Sequence, residues 1–325
     1  DKLSFTPFHN FFFMIKQIPS LIKLKSYLTV FQLVSKYIKN EQIRQALSIQ
    51  PLLLGGNPLE TTSIYNLIHF LERKWGVHYA MGGTGKIVKA FEKLMKEENI
   101  EIKKNVDVTK ILFKNKIAVG VKTNKGQKIF ADKIIMNADP AYSYRYLIND
   151  ANKWSSKKIE KLNYSMGLFV IYFGTKKKYK NIEHHTIWMG KRYQGLLKDI
   201  FNKQILADDF SLYLHRPTAT DKSMAPKGCD SFYVLSPVPN LKSNINWKDK
   251  AMEYRNNILK SLEETIMPNL MKNLTVCFHM TPEDFKKDYH SLYGTGFSIS
   301  PIFRQSAWFR FHNKSESFEN LYFVG

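Results

Sequence analysis

Apolar residues recur at roughly helical spacing between Phe11 and Ile38, at Ile15, Ile18, Ile22, Tyr27, Phe31, Val34 and Ile38, with an interruption at Pro19. Steps of three and four residues gather such positions on one helix face, and proline removes a backbone donor. Residues 1 to about 75 therefore read as helical, broken near Pro19. From Gly82 the pattern changes, and Thr84 to Glu97 predicts one further helix with Ile87, Val88, Phe91, Leu94 and Met95 as its apolar positions. Short alternating stretches follow at 101–104, 106–112, 117–123, 127–130 and 133–136, and alternation of period two predicts strands. Asn124-Lys125-Gly126 supplies a turn between two of them. Beyond residue 140 the pattern predicts strands at 168–173, 212–215 and 232–235 and helices at 193–201 and 247–266. The tail from Ser300 to Gly325 returns to strand and loop, with a strand over its last six residues. A helix leading into a β-meander and then an apolar strand ending at Asn137-Ala138-Asp139 is α/β construction, with mixed α+β character in the middle of the chain.

Charge sharpens the reading of the first helices. Acids are almost missing from the first 50 residues, where only Asp1 and Glu41 occur, while Lys16, Lys23, Lys25, Lys36, Lys39 and Arg44 punctuate the apolar positions. Aromatic and aliphatic side chains rimmed by ammonium groups suit a helix lying in a membrane interface. A core helix with a solvated lysine face gives the same pattern, and both readings stay open on these residues. The net charge of +21 favours an anionic partner. Only eight of 49 basic residues are Arg, however, so a lysine-rich compositional drift explains the excess equally well. No helix-turn-helix pattern or aromatic ribonucleoprotein signature accompanies the charge, which argues against nucleic acid. No apolar run approaches the ~18 residues of a membrane span.

Several motifs fail. The turn Met81-Gly82-Gly83-Thr84-Gly85-Lys86 invites a phosphate-loop reading, but Ala80 stands where the first glycine is needed and Ile87 where Ser or Thr would bind magnesium. A tight turn opening a helix remains. There is no G-x-G-x-x-G after a strand, no G-x-S-x-G and no H-E-x-x-H. Cys229 and Cys277 are isolated, which argues against a disulfide scaffold and a zinc knuckle and fits a reducing compartment. His184 and His185 would point to opposite faces of a strand, and no third ligand recurs at metal spacing, so no metal is expected.

Long stretches, in order, resemble bacterial-type phytoene desaturases. They include Arg44-Gln45-Ala46, the run from Leu53 through Pro58 into Ser63–Ile68, Leu71 through Val77, Gly82-Gly83-Thr84-Gly85 and Asn137-Ala138-Asp139. His184-His185-Thr186, the run from Ser211 through His215, Tyr233 through Pro239, Gln305 through Arg310, His312-Asn313 and Asn320 through Gly325 complete the resemblance. It implies an amine-oxidase-like FAD/NAD(P)-binding fold with an inserted substrate domain and a helical membrane-contact segment. The implied divisions are a helical segment at 1–75, FAD-domain segments at 76–140 and 296–325, and a substrate domain at 141–295. The implied activity is FAD-dependent desaturation of a carotenoid hydrocarbon, phytoene, by a cytoplasmic protein held peripherally at a membrane surface. The resemblance places the backbone of Val108 near the adenine, Asn137, Ala138 and Asp139 at a strand end beside the cofactor, and Gly82 and Gly83 where the chain approaches it closely. Gly325 would open the glycine-rich segment beside the flavin. A related oxidoreductase acting on a C30 or modified polyene, or a non-catalytic membrane-docking role, remains as the alternative. The family's N-terminal strand–glycine–helix unit has no counterpart in these 325 residues, so the chain is expected to be an internal piece that is inactive alone. Phe311 also departs from the proline usual there. No catalytic base is singled out, and the oligomeric state is open.

Overall fold

The computed structural model describes residues 11–150 and 153–324. Four helices come first: α1 (Phe11–Lys23), α2 (Val30–Tyr37), α3 (Glu41–Ser48) and α4 (Leu67–Trp75). Local chemistry sets their starts. Thr29 and Gln32 form a reciprocal capping box at α2, and the Asn40 side chain accepts from Ile43 N at 3.1 Å at α3. The expected break at Pro19 is not there, since α1 runs through it. The segment is exposed, so water can satisfy the carbonyl that proline leaves without a donor.

Helix α5 (Thr84–Glu97) leads into β1 (Val108–Lys114), β2 (Ile117–Thr123) and β3 (Lys128–Phe130), which form an antiparallel meander. The strand expected at 101–104 does not form. Lys104 instead meets Glu92 of α5 at 3.0 Å, and no neighbouring strand offers that stretch a ladder among the described residues. Strand β4 (Ile134–Met136) precedes two short helices, α6 (Pro140–Tyr142) and α7 (Ser156–Glu160).

A second sheet organises the middle of the chain. Its strands are β5 (Gly167–Thr175), β6 (His185–Trp188), β7 (Leu212–His215), β8 (Asp230–Val238) and β9 (Leu274–Met280), in the order β6-β7-β8-β5-β9. Helix α8 (Tyr193–Lys198) passes into a π-helical turn at Asp199–Lys203 where a single helix to Phe201 is expected from the sequence. Helices α9 (Trp247–Thr265), α10 (Leu270–Asn273) and α11 (Pro282–Tyr289) complete this region, and β10 (Leu321–Phe323) ends the described chain. Strand β8 alternates buried and half-buried residues, whereas β5 is buried nearly throughout. The difference follows from position. Phe169, Ile171 and Phe173 of β5 pack with Trp247, Ile258 and Leu262 on one face, and Leu168 and Val170 pack with Leu196 and Ile200 on the other.

The chain's two distant strands meet. β10 pairs in parallel with β4, matching Leu321 to Ile134, Tyr322 to Ile135 and Phe323 to Met136. Ile134, Met136, Leu321 and Phe323 bury one face against Ala141, Tyr144, Trp154 and Ile159. The helical segment is tied in by bridges of Thr29 to Thr62 and of Thr61 to Ile302.

Candidate functional site

The paired strands β4 and β10 run in the same direction, so their carboxyl ends lie side by side at Asn137 and Val324. Val324 N donates to Met136 O at 2.9 Å, and Asn313 donates to Phe323 O at 3.1 Å. In open parallel sheets, ligands bind beyond the carboxyl ends of the strands. Asn137 is exposed there and Ala138 is half-buried. Asp139 is differently employed. Its carboxylate accepts from Ala141 N at 2.9 Å, Leu292 N at 2.9 Å and the Ser298 hydroxyl at 2.7 Å. That carboxylate caps α6 and ties the strand end to residues 292 and 298. Arg310 lies near it electrostatically, and burial pushes the guanidinium below its usual value.

The glycine turn meets the loop after β7. Gly82 and Gly83 both have positive φ, +84° and +83°, and Gly83 starts α5 without a side-chain cap. Gly82 N donates to Asp221 at 2.5 Å, and a Cβ on Gly83 would meet Met224 Cε at 3.1 Å. The Ser223 hydroxyl, followed by Gly82 N and Ser223 N, holds the Asp221 carboxyl below its usual range. The turn thus locks the start of α5 to the loop after β7. Val108 stands exposed at the start of β1, opposite Thr123. Gly325 lies outside the described residues.

The face of the five-stranded sheet that Leu196 and Ile200 partly cover is otherwise polar and aromatic. Tyr172, Tyr233, Tyr213 and His215 stand half-buried on it, with Tyr172 against Phe278 at 5.1 Å and Tyr233 against His215 at 4.6 Å. Burial raises the pKa of all three phenols, so they stay protonated. His215 faces His185 across the β6–β7 ladder. Burial, then the neighbouring His184 and His185, pushes the His215 imidazole down to about 4; burial also lowers His184 and His185. Sequence spacing misses this cluster. His184 precedes β6 at a bend, so strand alternation does not govern it, and His215 reaches both histidines through a cross-strand register that spacing along the chain cannot reveal. Where spacing along the chain offers no third residue, the fold brings His215 to the pair. His312 has a structural setting instead, with Nε2 on Trp308 O at 2.8 Å and Nδ1 beside Glu316 at 3.3 Å.

Known proteins match nearly the whole chain. The family model for flavin containing amine oxidoreductases matches residues 29–325. A neurosporene-forming phytoene desaturase of Rhodobacter capsulatus is 40% identical over 333 aligned positions, covering 100% of this chain and 64% of the relative. A lycopene-forming phytoene desaturase of Pantoea ananas is also 40% identical and is covered to 66%, with 100% of this chain aligned. Among solved structures, an oxidoreductase from Methanosarcina mazei has a TM-score of 0.62 at 17% identity, covering 96% of this chain and 66% of that one. The chain thus spans about two thirds of the length of the curated relatives it matches.

Proposed function

The chain belongs to the flavin containing amine oxidoreductase family, and from that premise we propose that it serves an FAD-dependent desaturation of phytoene. The observation that carries the reading is the 40% identity to two phytoene desaturases along the full chain. The fold is the amine-oxidase-like FAD-binding fold, with mixed helix and sheet. The residues present fit one wall of a dinucleotide site. Two parallel strands end together, Asn137 is exposed at that end, and the small Ala138 leaves room for close approach. Asn137, Ala138, the Val108 backbone and Gly325 would hold the cofactor. Gly82 and Gly83 would support it indirectly by fixing α5, and Asp139 by fixing the strand end.

Bound FAD would supply the electron sink for removal of two hydrogens across a carbon–carbon bond. The chain's own task is to hold an apolar polyene straight and dry. Phytoene has no polar handle, so orientation must come from the shape of an apolar wall. The aromatic face of Tyr172, Tyr213 and Tyr233 supports such a wall, since its phenols are neutral at pH 7. A membrane surface would deliver the hydrocarbon. Phe11, Phe12, Ile15, Ile18 and Ile22 of α1 are exposed beside Lys16 and Lys23, as interfacial docking requires. No helix among the described residues is long and apolar enough to cross a membrane.

The test is reconstitution of the full-length protein with FAD and phytoene-laden liposomes. Absorption in the visible should grow as conjugation lengthens. Turnover of a C30 or hydroxylated polyene with phytoene left untouched would overturn the substrate, and absence of bound flavin would overturn the enzyme reading.

A further inference from the structure

We propose that His184, His185 and His215 form a binding site for one divalent transition-metal ion of the zinc class. One ring nitrogen from each histidine lies within 4.8 Å of those of the other two. A tetrahedral ion with bonds of about 2.0–2.1 Å holds its nitrogens about 3.4 Å apart, so drawing the rings together by about an ångström closes the site.

The outer contacts are those of metal-ligating histidines, which bind through one nitrogen and donate the other N–H to an oxygen. His184 Nδ1 is 2.5 Å from the Thr220 hydroxyl, while its Nε2 is buried with no hydrogen-bond partner. His185 Nδ1 is 2.5 Å from the Tyr213 hydroxyl, and His215 Nδ1 is 3.3 Å from the same oxygen. The Tyr213 ring packs against that of Tyr233 at 5.7 Å. The Tyr213 oxygen can accept from both imidazoles. His184 Nε2 is left free for an ion. The nearby positive charge of Arg216 is paired with buried Asp230 at 3.3 Å.

Three histidines leave a fourth position for water. The Tyr79 ring packs edge-on against His184 at 4.7 Å, and its hydroxyl is buried without a partner, available to such a water. Tyr79 belongs to the segment that leads into the Gly82-Gly83 turn. The ion would therefore pin that segment to the free edge of the five-stranded sheet, adding to the bond of Gly82 N to Asp221.

The probe is Co²⁺. Full-length protein stripped with chelator and titrated with Co²⁺ should take up one equivalent with visible ligand-field absorption, displaced by Zn²⁺. His184→Gln and His215→Gln should abolish that absorption while far-ultraviolet dichroism stays unchanged. Tyr213→Phe, which removes only the oxygen behind two ligands, should weaken uptake by about tenfold or more and shift the band. No uptake at sub-millimolar free Co²⁺, or uptake indifferent to the histidine substitutions, overturns the site. Should those variants fail to fold, anomalous scattering from Zn²⁺-soaked wild-type crystals decides it: a peak among the three rings supports the site, and its absence or a peak elsewhere overturns it.

Discussion

Tyr193 shows how one buried side chain makes the protein sensitive to pH. Its ring packs with Leu52 and Leu197, and its hydroxyl meets the Ser48 hydroxyl at 3.1 Å. Burial pushes the phenol up to about 12, and the Ser48 bond offsets this only in part. Between about pH 10, where a free phenol titrates, and about 12, the unfolded chain has lost the proton and the folded chain has kept it. Stability therefore falls as pH rises through that window. Tyr144, Tyr164 and Tyr254 are shifted the same way and add to the slope. Tyr193→Phe should cost about 1 kcal/mol at neutral pH for the lost hydrogen bond. Across the alkaline window it should regain about 2 kcal/mol relative to wild type. Urea midpoints at several pH values measure this, and parallel curves for the two proteins would contradict it. Asp139 carries a different load, since three donors converge on its carboxylate. Asp139→Ala strands them and should lower stability by about 2–4 kcal/mol, with Asp139→Asn intermediate. Equal stability of all three proteins would show that those bonds contribute nothing.

At the scale of elements, α1 combines features that are costly in water. Its apolar face is exposed although α2, next along the chain, buries Val30 and Val34. Lys16 and Lys23 flank that face, and each basic residue near an anionic surface is worth about 1 kcal/mol. Lys16→Ala and Lys23→Ala should each weaken binding to anionic liposomes about fivefold, with the wild-type difference fading in high salt. Flotation that ignores salt and lipid charge would remove the electrostatic part of the docking proposal. The turn after α3 ends at Gly55 with φ +78°, and a Cβ there would lie 2.6 Å from Phe297 Cβ and 2.7 Å from Ser165 Cβ. Gly55→Ala combines left-handed strain with overpacking and should cost about 2–4 kcal/mol. A variant with an unchanged urea midpoint would mean that this junction yields easily.

Across the whole molecule, the decisive contact joins residues nearly two hundred positions apart, β4 with β10. If the cofactor lies at their shared end, adding FAD to full-length apoprotein should slow amide exchange at 134–137 and 321–324. Helix α9, packed on the five-stranded sheet, should not respond. Protection spread evenly over both regions, or absent from the strand pair, would place the flavin elsewhere.

The sequence by itself determined the local elements. Helix Thr84–Glu97 and strands Ile117–Thr123 and Leu212–His215 lie where the patterning puts them, because short-range periodicity and turn residues decide such segments. The family was legible as well, since its motifs are strung along the chain. Strand β9 and helix α11 were not, because the burial of β9 does not alternate and its place comes from pairing with β5. Asp139, Gly82 and Gly83 were noticed for the cofactor, but only the fold shows that Asp139 binds residues 292 and 298 and that Gly82 binds Asp221. The histidine cluster belongs wholly to tertiary structure. Spacing along a chain encodes which face a residue takes within one element, whereas the meeting of His184, His185 and His215 depends on a bend and a cross-strand register. Register is set by the burial of both strands together.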